Sequence, residues 1–220
     1  MKILVKFPTR NRKEKFFDVV QKYYDYATDK NNLEFLITLD DDDLSMNNDE
    51  VRLKLNSYKN LKYIFGQSDN KIHAVNRDIE DYNWDIILLA SDDMIPVQLG
   101  YDEVIRNKMK EFYPDTDGVL WFNDGFQGNK LNTLCILGKK YYQRFNYIYY
   151  PEYKSTWCDN EFMDVANILK KQKYFHNIII KHEHPDWGYG KMDEIHQKNH
   201  GNLMYDMTLY NKRKQNNFNL

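Results

Sequence analysis

The chain has 220 residues, 42% of them hydrophobic, with 31 Lys+Arg against 33 Asp+Glu and a formal net charge of -2. That length suits one domain with a real core, and the charge balance gives no sign of nucleic-acid or membrane binding beyond a local basic patch. Nothing approaches the ~20 apolar residues of a membrane span, the first apolar run (residues 3–5) is too short for a signal peptide, and two distant cysteines, Cys135 and Cys158, lack CxxC spacing, so free thiols and a cytoplasmic location are expected.

Residues 2–7 read as a first strand that stops at Pro8. Phe16, Phe17, Val19, Val20, Tyr23 and Tyr24 recur at mixed three-and-four spacing, which predicts an amphipathic helix over 13–27. Residues 33–39 form the second predicted strand, ending in Asp40-Asp41-Asp42-Asp43; a helix begins near Ser45. Residues 61–65 are a third strand ended by Gly66, followed by a helix over 70–79 and a fourth strand over 85–90. That fourth strand is a short continuous apolar run, as expected for a strand buried on both faces, and it ends in Ser91-Asp92-Asp93. Strands alternating with helices over short connections argue for a mostly parallel sheet with helices on both faces.

A helix over 99–112 and a fifth strand over 118–122 come next. The glycine-bearing turn 123–129 leads to residues 131–137, which suit a returning hairpin strand. A short helix over 138–145, an aromatic irregular stretch to Trp157, a helix over 159–171 with Asp159 as N-cap, and a last strand over 175–181 complete the pattern. Beyond Gly188 the chain is polar, with a helix predicted near 193–199 and fraying after it.

Four loops therefore fall at the carboxyl ends of strands: 8–12, 40–43, 66–71 and 91–96. In open α/β sheets that edge binds ligands. Arg10, Arg12, Lys71 and Arg77 there suit a phosphate-bearing ligand. Adjacent carboxylates such as Asp92 and Asp93 repel unless a cation lies beside them, and hard oxygens suit Mg²⁺ or Mn²⁺. A solvated loop would show the same two letters.

Phe7-Pro8-Thr9-Arg10-Asn11-Arg12 resembles the Pro-Thr-x-Asn-Arg that follows the first strand in family 2 glycosyltransferases. Leu39-Asp40-Asp41-Asp42 is similar to their second-strand Asp-Asp motif, Asn70-Lys71 and Ala74-Val75-Asn76-Arg77 to a reordered helix start, and Ser91-Asp92-Asp93 to their Asp-x-Asp motif with Ser in the first place. The resemblance implies a GT-A fold: a single α/β domain with a Rossmann-like, mostly parallel central sheet and a small β-hairpin/acceptor region. It divides residues 1–220 into a nucleotide-binding half (1–97), an acceptor and catalytic half (98–189) and a polar tail (190–220). It further implies a UDP-linked sugar donor, contacted by Pro8, Thr9, Arg10, Arg12, Asp40, Asn70, Lys71 and Asp92. Mn²⁺ or Mg²⁺ would sit on Asp93 and a late histidine, His184 or His182. Trp121, Asn123 and Asp124 fall where it puts sugar and acceptor. Cys158-Asp159-Asn160-Glu161 resembles the segment that supplies the general base, Asp159 first and Glu161 second. Transfer would be by direct, inverting displacement to a hydroxyl of a saccharide, a protein or a modified nucleic acid.

Each residue has a plainer reading. An Asp at a helix N-cap is commonly only a cap, and His182 and His184 lack the further ligands of a zinc site. His196 and His200, four apart, read as a solvated face, as does Lys212-Arg213-Lys214. Two other functions compete. A sugar nucleotidyltransferase would be expected to carry a glycine-rich phosphate loop after the first strand, and residues 7–11 have no Gly. A non-catalytic binding module would keep the cleft without turnover.

Overall fold

The computed structural model describes residues 1–183 and 201–220. Strands β1 (Ile3–Pro8), β2 (Leu33–Asp40), β3 (Leu61–Gly66), β4 (Ile86–Leu89), β6 (Val119–Phe122), β7 (Ile136–Gly138) and β8 (Gln172–Phe175) form one seven-stranded sheet in the order β3-β2-β1-β4-β7-β6-β8. The pairs β1–β2, β1–β4, β2–β3 and β6–β8 are parallel, and β7 alone runs against its neighbours β4 and β6. β5 (Met94–Pro96) and β9 (Ile180–His182) pair antiparallel as a separate ribbon. The strands of the first half carry apolar side chains on both faces, as strands covered on both sides require. Ile3, Val5 and Phe7 of β1 pack with helices α1 (Lys13–Tyr26), α2 (Asp49–Asn56) and α4 (Tyr101–Phe112). Leu4, Leu36, Ile87 and Leu89 face α3 (Lys71–Asn76), α5 (Lys139–Tyr142), α6 (Cys158–Ile168) and α7 (Leu203–Gln215).

Several sequence expectations need correction. The strand expected over 175–181 is two strands: β8 ends at Phe175 and β9 starts at Ile180. The hairpin strand expected over 131–137 is only Ile136–Gly138, because residues 123–135 are spent on a long turn. Asp159 is not an N-cap: Trp157 holds that position in the left-handed conformation (φ 61°). The expected helix near 193–199 lies outside the described residues, but the chain after it does not fray, since α7 is docked through buried Asp206, Tyr210 and Arg213. Among the described residues, no helix is long and apolar enough to cross a membrane. Cys135 and Cys158 are free and buried.

A lysine sits inside the sheet layer. Lys6, at 0% exposure, donates to Thr38 and to the backbone carbonyl of Arg77. Burial, against the pull of Asp78, lowers its pKa to about 7. In the unfolded chain the amine titrates near its ordinary value of about 10.5, so the unfolded state binds more protons between these values. The penalty from Lys6 is therefore fully present below pH 7 and is relieved as pH rises toward 10. Lys6→Met should be most favourable, relative to wild type, at low pH. Urea midpoints at mildly acid and mildly alkaline pH check this: the mutant–wild-type difference should shift toward wild type on going alkaline.

Candidate active site

The chain runs β1→β2→β3 to one side and then returns to β4 on the other side of β1. The switch point lies between the carboxyl ends of β1 and β4, where open α/β sheets take their ligands. Because β1 to β4 are parallel, all four polar loops gather at this edge.

On one flank is a carboxylate between two guanidiniums. Asp40, at the end of β2, accepts from Arg10 at 2.8 Å, and its other oxygen lies 3.8 Å from Arg77. That second oxygen, Oδ1, is buried and accepts no hydrogen bond among the described residues; the Thr9 hydroxyl beside β1 is in the same state. Arg10 also grips Asp42 at 2.5 and 2.8 Å. Hydrogen bonding to Asp42 and Asp40 holds the Arg10 guanidinium charged above even its ordinary range. Arg77 is fixed by Ser68 (3.0 Å), Asp78 (2.7 Å) and the carbonyl of Leu39 (2.7 Å). It lies close over Gly66, where a Cβ would come within 2.9 Å of its Nη1 and push the guanidinium aside. The acid run is thus divided by role: Asp43 turns inward to accept from the Asn11 amide and Ser45, and Asp41 is exposed.

At the switch point itself Arg12 donates to Asp92 at 2.7 Å, joining the β1 and β4 loops. Asp92 is 5% exposed, and burial, only partly countered by Arg12, raises its pKa. Asp93, 6% exposed, accepts from Ser91 and lies 3.5 Å from His182 Nε2. Its burial opposes ionisation, but His182, Ser91 and the Lys71 charge prevail and hold it well below the usual carboxylate range. The β5–β9 ribbon makes this meeting possible. Met94 pairs with His182, the Glu183 amide donates to the Asp93 carbonyl at 2.7 Å, and the His182 amide to that of Asp124 at 2.9 Å. His184, the favoured histidine in the sequence, lies outside the described residues, as does Trp187.

The other flank is the start of α6. Asp159 is half-buried, and burial raises its pKa against the charges of Lys71 and His182. Asp93, His182, Lys71 and Asp159 therefore share one electrostatic environment. Lys71 opens α3 with its side chain exposed, while Asn70 is spent capping that helix by accepting from the His73 amide at 3.0 Å. Glu161 does not share the cleft. It is 4% exposed, bridged to Arg213 at 2.7 and 2.8 Å, and accepts from Tyr153 at 2.8 Å. Of the two acids in the first turn of α6, Asp159 is the one not tied up in a buried ion pair.

Asp124 closes its own turn, accepting from the amides of Phe126 and Gln127 (2.8 and 2.7 Å) and from Thr133 (2.6 Å). Asn123 accepts from the Gly125 amide at 2.9 Å. Trp121 packs edge-on to Tyr174 and is 8% exposed. These three shape the loop next to His182; their polar groups are largely engaged. Pro8 ends β1 and sets the turn that carries Thr9 and Arg10.

The residues missed in the sequence are Arg77, as a fixed partner of Asp40, and Arg213, read there as part of a solvated end but 7% exposed here. Removing one partner of a buried ion pair typically costs ~3–5 kcal/mol. Arg213→Ala should lower the melting temperature on the order of 10 °C in a chain of this size. A melt unchanged within error would show that the pair is not buried as described.

The donor set also suits a divalent cation. Asp93 and His182 supply two donors, and among the described residues no group of three or more His, Cys, Asp or Glu is placed to hold a metal ion. Mg²⁺-type sites commonly use one or two protein carboxylates and leave the rest to substrate phosphates and water, and imidazole is an accepted ligand for softer divalent ions. The residues fit such an ion.

Comparison with protein-family models and with curated proteins finds no match. Solved structures do match. PcManGT, a mannosyltransferase from Pyrobaculum calidifontis in complex with GDP-Man and Mn²⁺, is 12% identical, with 80% of this chain and 55% of that one covered and a TM-score of 0.62. S. aureus TarS 1-349 in complex with UDP-GlcNAc is 14% identical, with 90% and 61% covered and a TM-score of 0.68. The same protein in complex with UDP is 15% identical, with 82% and 60% covered and a TM-score of 0.65. The chain spans 55% to 61% of the length of these three. At such identities the likeness is one of fold, and the fold is of the GT-A type, a mostly parallel α/β sheet like that of these glycosyltransferase structures.

Proposed function

We propose that this chain transfers a sugar from a nucleotide-diphosphate donor to an acceptor hydroxyl, with Asp93 and His182 as ligands for Mn²⁺ or Mg²⁺. The observation that carries the reading is Asp93 held 3.5 Å from His182 at the carboxyl end of β4, within the influence of the Lys71 charge that also acts on Asp159, together with a buried Asp40 oxygen at the same sheet edge that accepts no hydrogen bond among the described residues. Asp40 Oδ1 suits an N–H donor of a nucleobase, and the preference for a uridine donor follows the sequence resemblance. GDP-Man in one structural neighbour and UDP-GlcNAc in another show that this fold accepts more than one base and sugar. Arg12, Lys71 and the exposed edge of Arg10 supply positive charge for phosphates. When bound, the cation supplies charge neutralisation of the departing diphosphate. Asp159 accepts the proton of the attacking hydroxyl, and the Lys71 charge stabilises its charged form. A single displacement of this kind inverts the anomeric centre. His184, next along the chain from Glu183, is a further ligand candidate in this reading.

A thermal-shift panel of nucleotide sugars, each with and without Mn²⁺, tests the donor half. A shift with at least one nucleotide sugar that grows with Mn²⁺ supports it, and no shift with any member overturns it. The acceptor class follows from screening saccharides, peptides and DNA with the donor so identified. A DNA acceptor would also require salt-dependent duplex binding.

A further inference from the structure

Helix α7 holds the start of α6 at three points. The Asp206 carboxylate, 0% exposed, accepts from three successive backbone amides, those of Lys154 (2.9 Å), Ser155 (3.0 Å) and Thr156 (2.9 Å). It also accepts from the hydroxyls of Thr156 (3.2 Å) and Ser155 (3.4 Å). One turn on, the Tyr210 ring lies 5.0 Å from that of Trp157, and its hydroxyl donates to Asp164 at 2.7 Å. Arg213 then grips Glu161. Asp159 lies between these anchors, two residues after Trp157 has left 154–156 in the left-handed conformation (φ 61°) that starts the helix.

A buried carboxylate has to be matched by donors or it costs several kcal/mol. Among the described residues the donors shown to match it come from one loop. None of these five donors belongs to α7, so the hydrogen bonds of the Asp206 side chain are made across to the loop rather than within its own helix. Its burial is compensated only while residues 154–156 hold their present path. That path sets where α6 begins, and so where the Asp159 carboxylate is carried. Misplacement by ~1 Å of a catalytic group can cost ~10²-fold in rate.

We propose that Asp206 is a positioning residue for Asp159: by binding the amides of 154–156 it fixes the entry of α6 and holds the Asp159 carboxylate toward Lys71 and His182. This rests on the reading of Asp159 as the general base. The variants are Asp206→Asn, Asp159→Asn and the double mutant, with Asp206→Glu as a second replacement that keeps the charge but lengthens the reach. Each is assayed well below its own unfolding midpoint. The readouts are release of nucleoside diphosphate from the nucleotide sugar giving the largest thermal shift, donor affinity by calorimetry, and amide hydrogen exchange.

Asp206→Asn is expected to lower turnover about tenfold or more while donor affinity stays within about twofold. In the Asp159→Asn background the same change should cause no further loss, because residues acting through one step are non-additive. Asp206→Glu should fall between the two. Exchange at 154–156 should quicken in Asp206→Asn while β1 and β2 keep their protection. Multiplicative losses in the double mutant, or wild-type turnover in Asp206→Asn beside an inactive Asp159→Asn, overturn the positioning role alone. Wild-type turnover in Asp159→Asn overturns the base and this role with it. Unchanged exchange at 154–156 overturns the structural half of the proposal.

Discussion

Asp159→Asn is expected to lose ~10²–10⁴-fold in turnover and to bind the donor as the wild type does, the range over which a positioned base usually contributes. The substitution keeps the size and most of the hydrogen-bonding capacity of the side chain. It removes only the ability to take a proton. Asp159 sits in the first turn of α6, where the helix dipole favours a negative charge. Burial pulls the other way and raises its pKa, against the Lys71 charge. A carboxylate raised in this way is more basic than a solvent-exposed one, which suits it to accept a proton from a hydroxyl. The loss should fall on kcat and kcat/KM together, the mark of an interaction made in the transition state. Steady-state release of nucleoside diphosphate, with donor affinity by calorimetry, checks both parts. A mutant with wild-type turnover would remove Asp159 from the reaction, and Glu161 could not replace it without breaking its bridge to Arg213.

Asp93→Ala is expected to abolish the Mn²⁺-dependent part of donor affinity, a loss of about tenfold or more, equivalent to ~1.4 kcal/mol or more. Asp93 is held below the usual carboxylate range despite being nearly buried. Its burial is offset by His182 at 3.5 Å, by Ser91 and by the Lys71 charge, so the carboxylate is held ionised and able to serve as a hard oxygen ligand. Calorimetric titrations with Mn²⁺ and with EDTA, on wild type and mutant, provide the check. The wild type should bind donor more tightly with Mn²⁺, and the mutant should bind equally in both. An Asp–His pair that serves only packing predicts the opposite: EDTA would leave wild-type affinity unchanged, while the mutant would lose mainly stability.

The parallel half of the sheet was legible because its strands are short, continuous apolar runs and each stops at a turn signal. β1, β2, β3 and β4 fall within a residue or two of their expected bounds, and the four polar loops share one edge. Long-range pairing was harder to read. β5 and β9 are three residues each, one of them containing Pro96, and nothing local says that Met94 faces His182. That pairing is what brings Asp93 and His182 together, so the acid was readable and its neighbour was ambiguous between two histidines. The distinction between Asp159 and Glu161 was hidden for a similar reason. Both are acids in the first turn of one helix, and the choice is made by Arg213, 52 residues on. α7 itself reads as a polar tail because the groups it buries, Asp206 and Arg213, are charged, and hydrophobic periodicity cannot report a burial satisfied by hydrogen bonds.

On the proposed function, the cleft between β1 and β4 moves the sugar of a nucleotide sugar to a hydroxyl, of the acceptor or of water, and releases the nucleoside diphosphate with the help of a bound cation. The direct measurement is the rate of that release from the donor with the largest thermal shift, in Mn²⁺ and in EDTA. Release in Mn²⁺ that stops in EDTA is the predicted result; a donor that binds but is never turned over, or release that continues unchanged in EDTA, would contradict it.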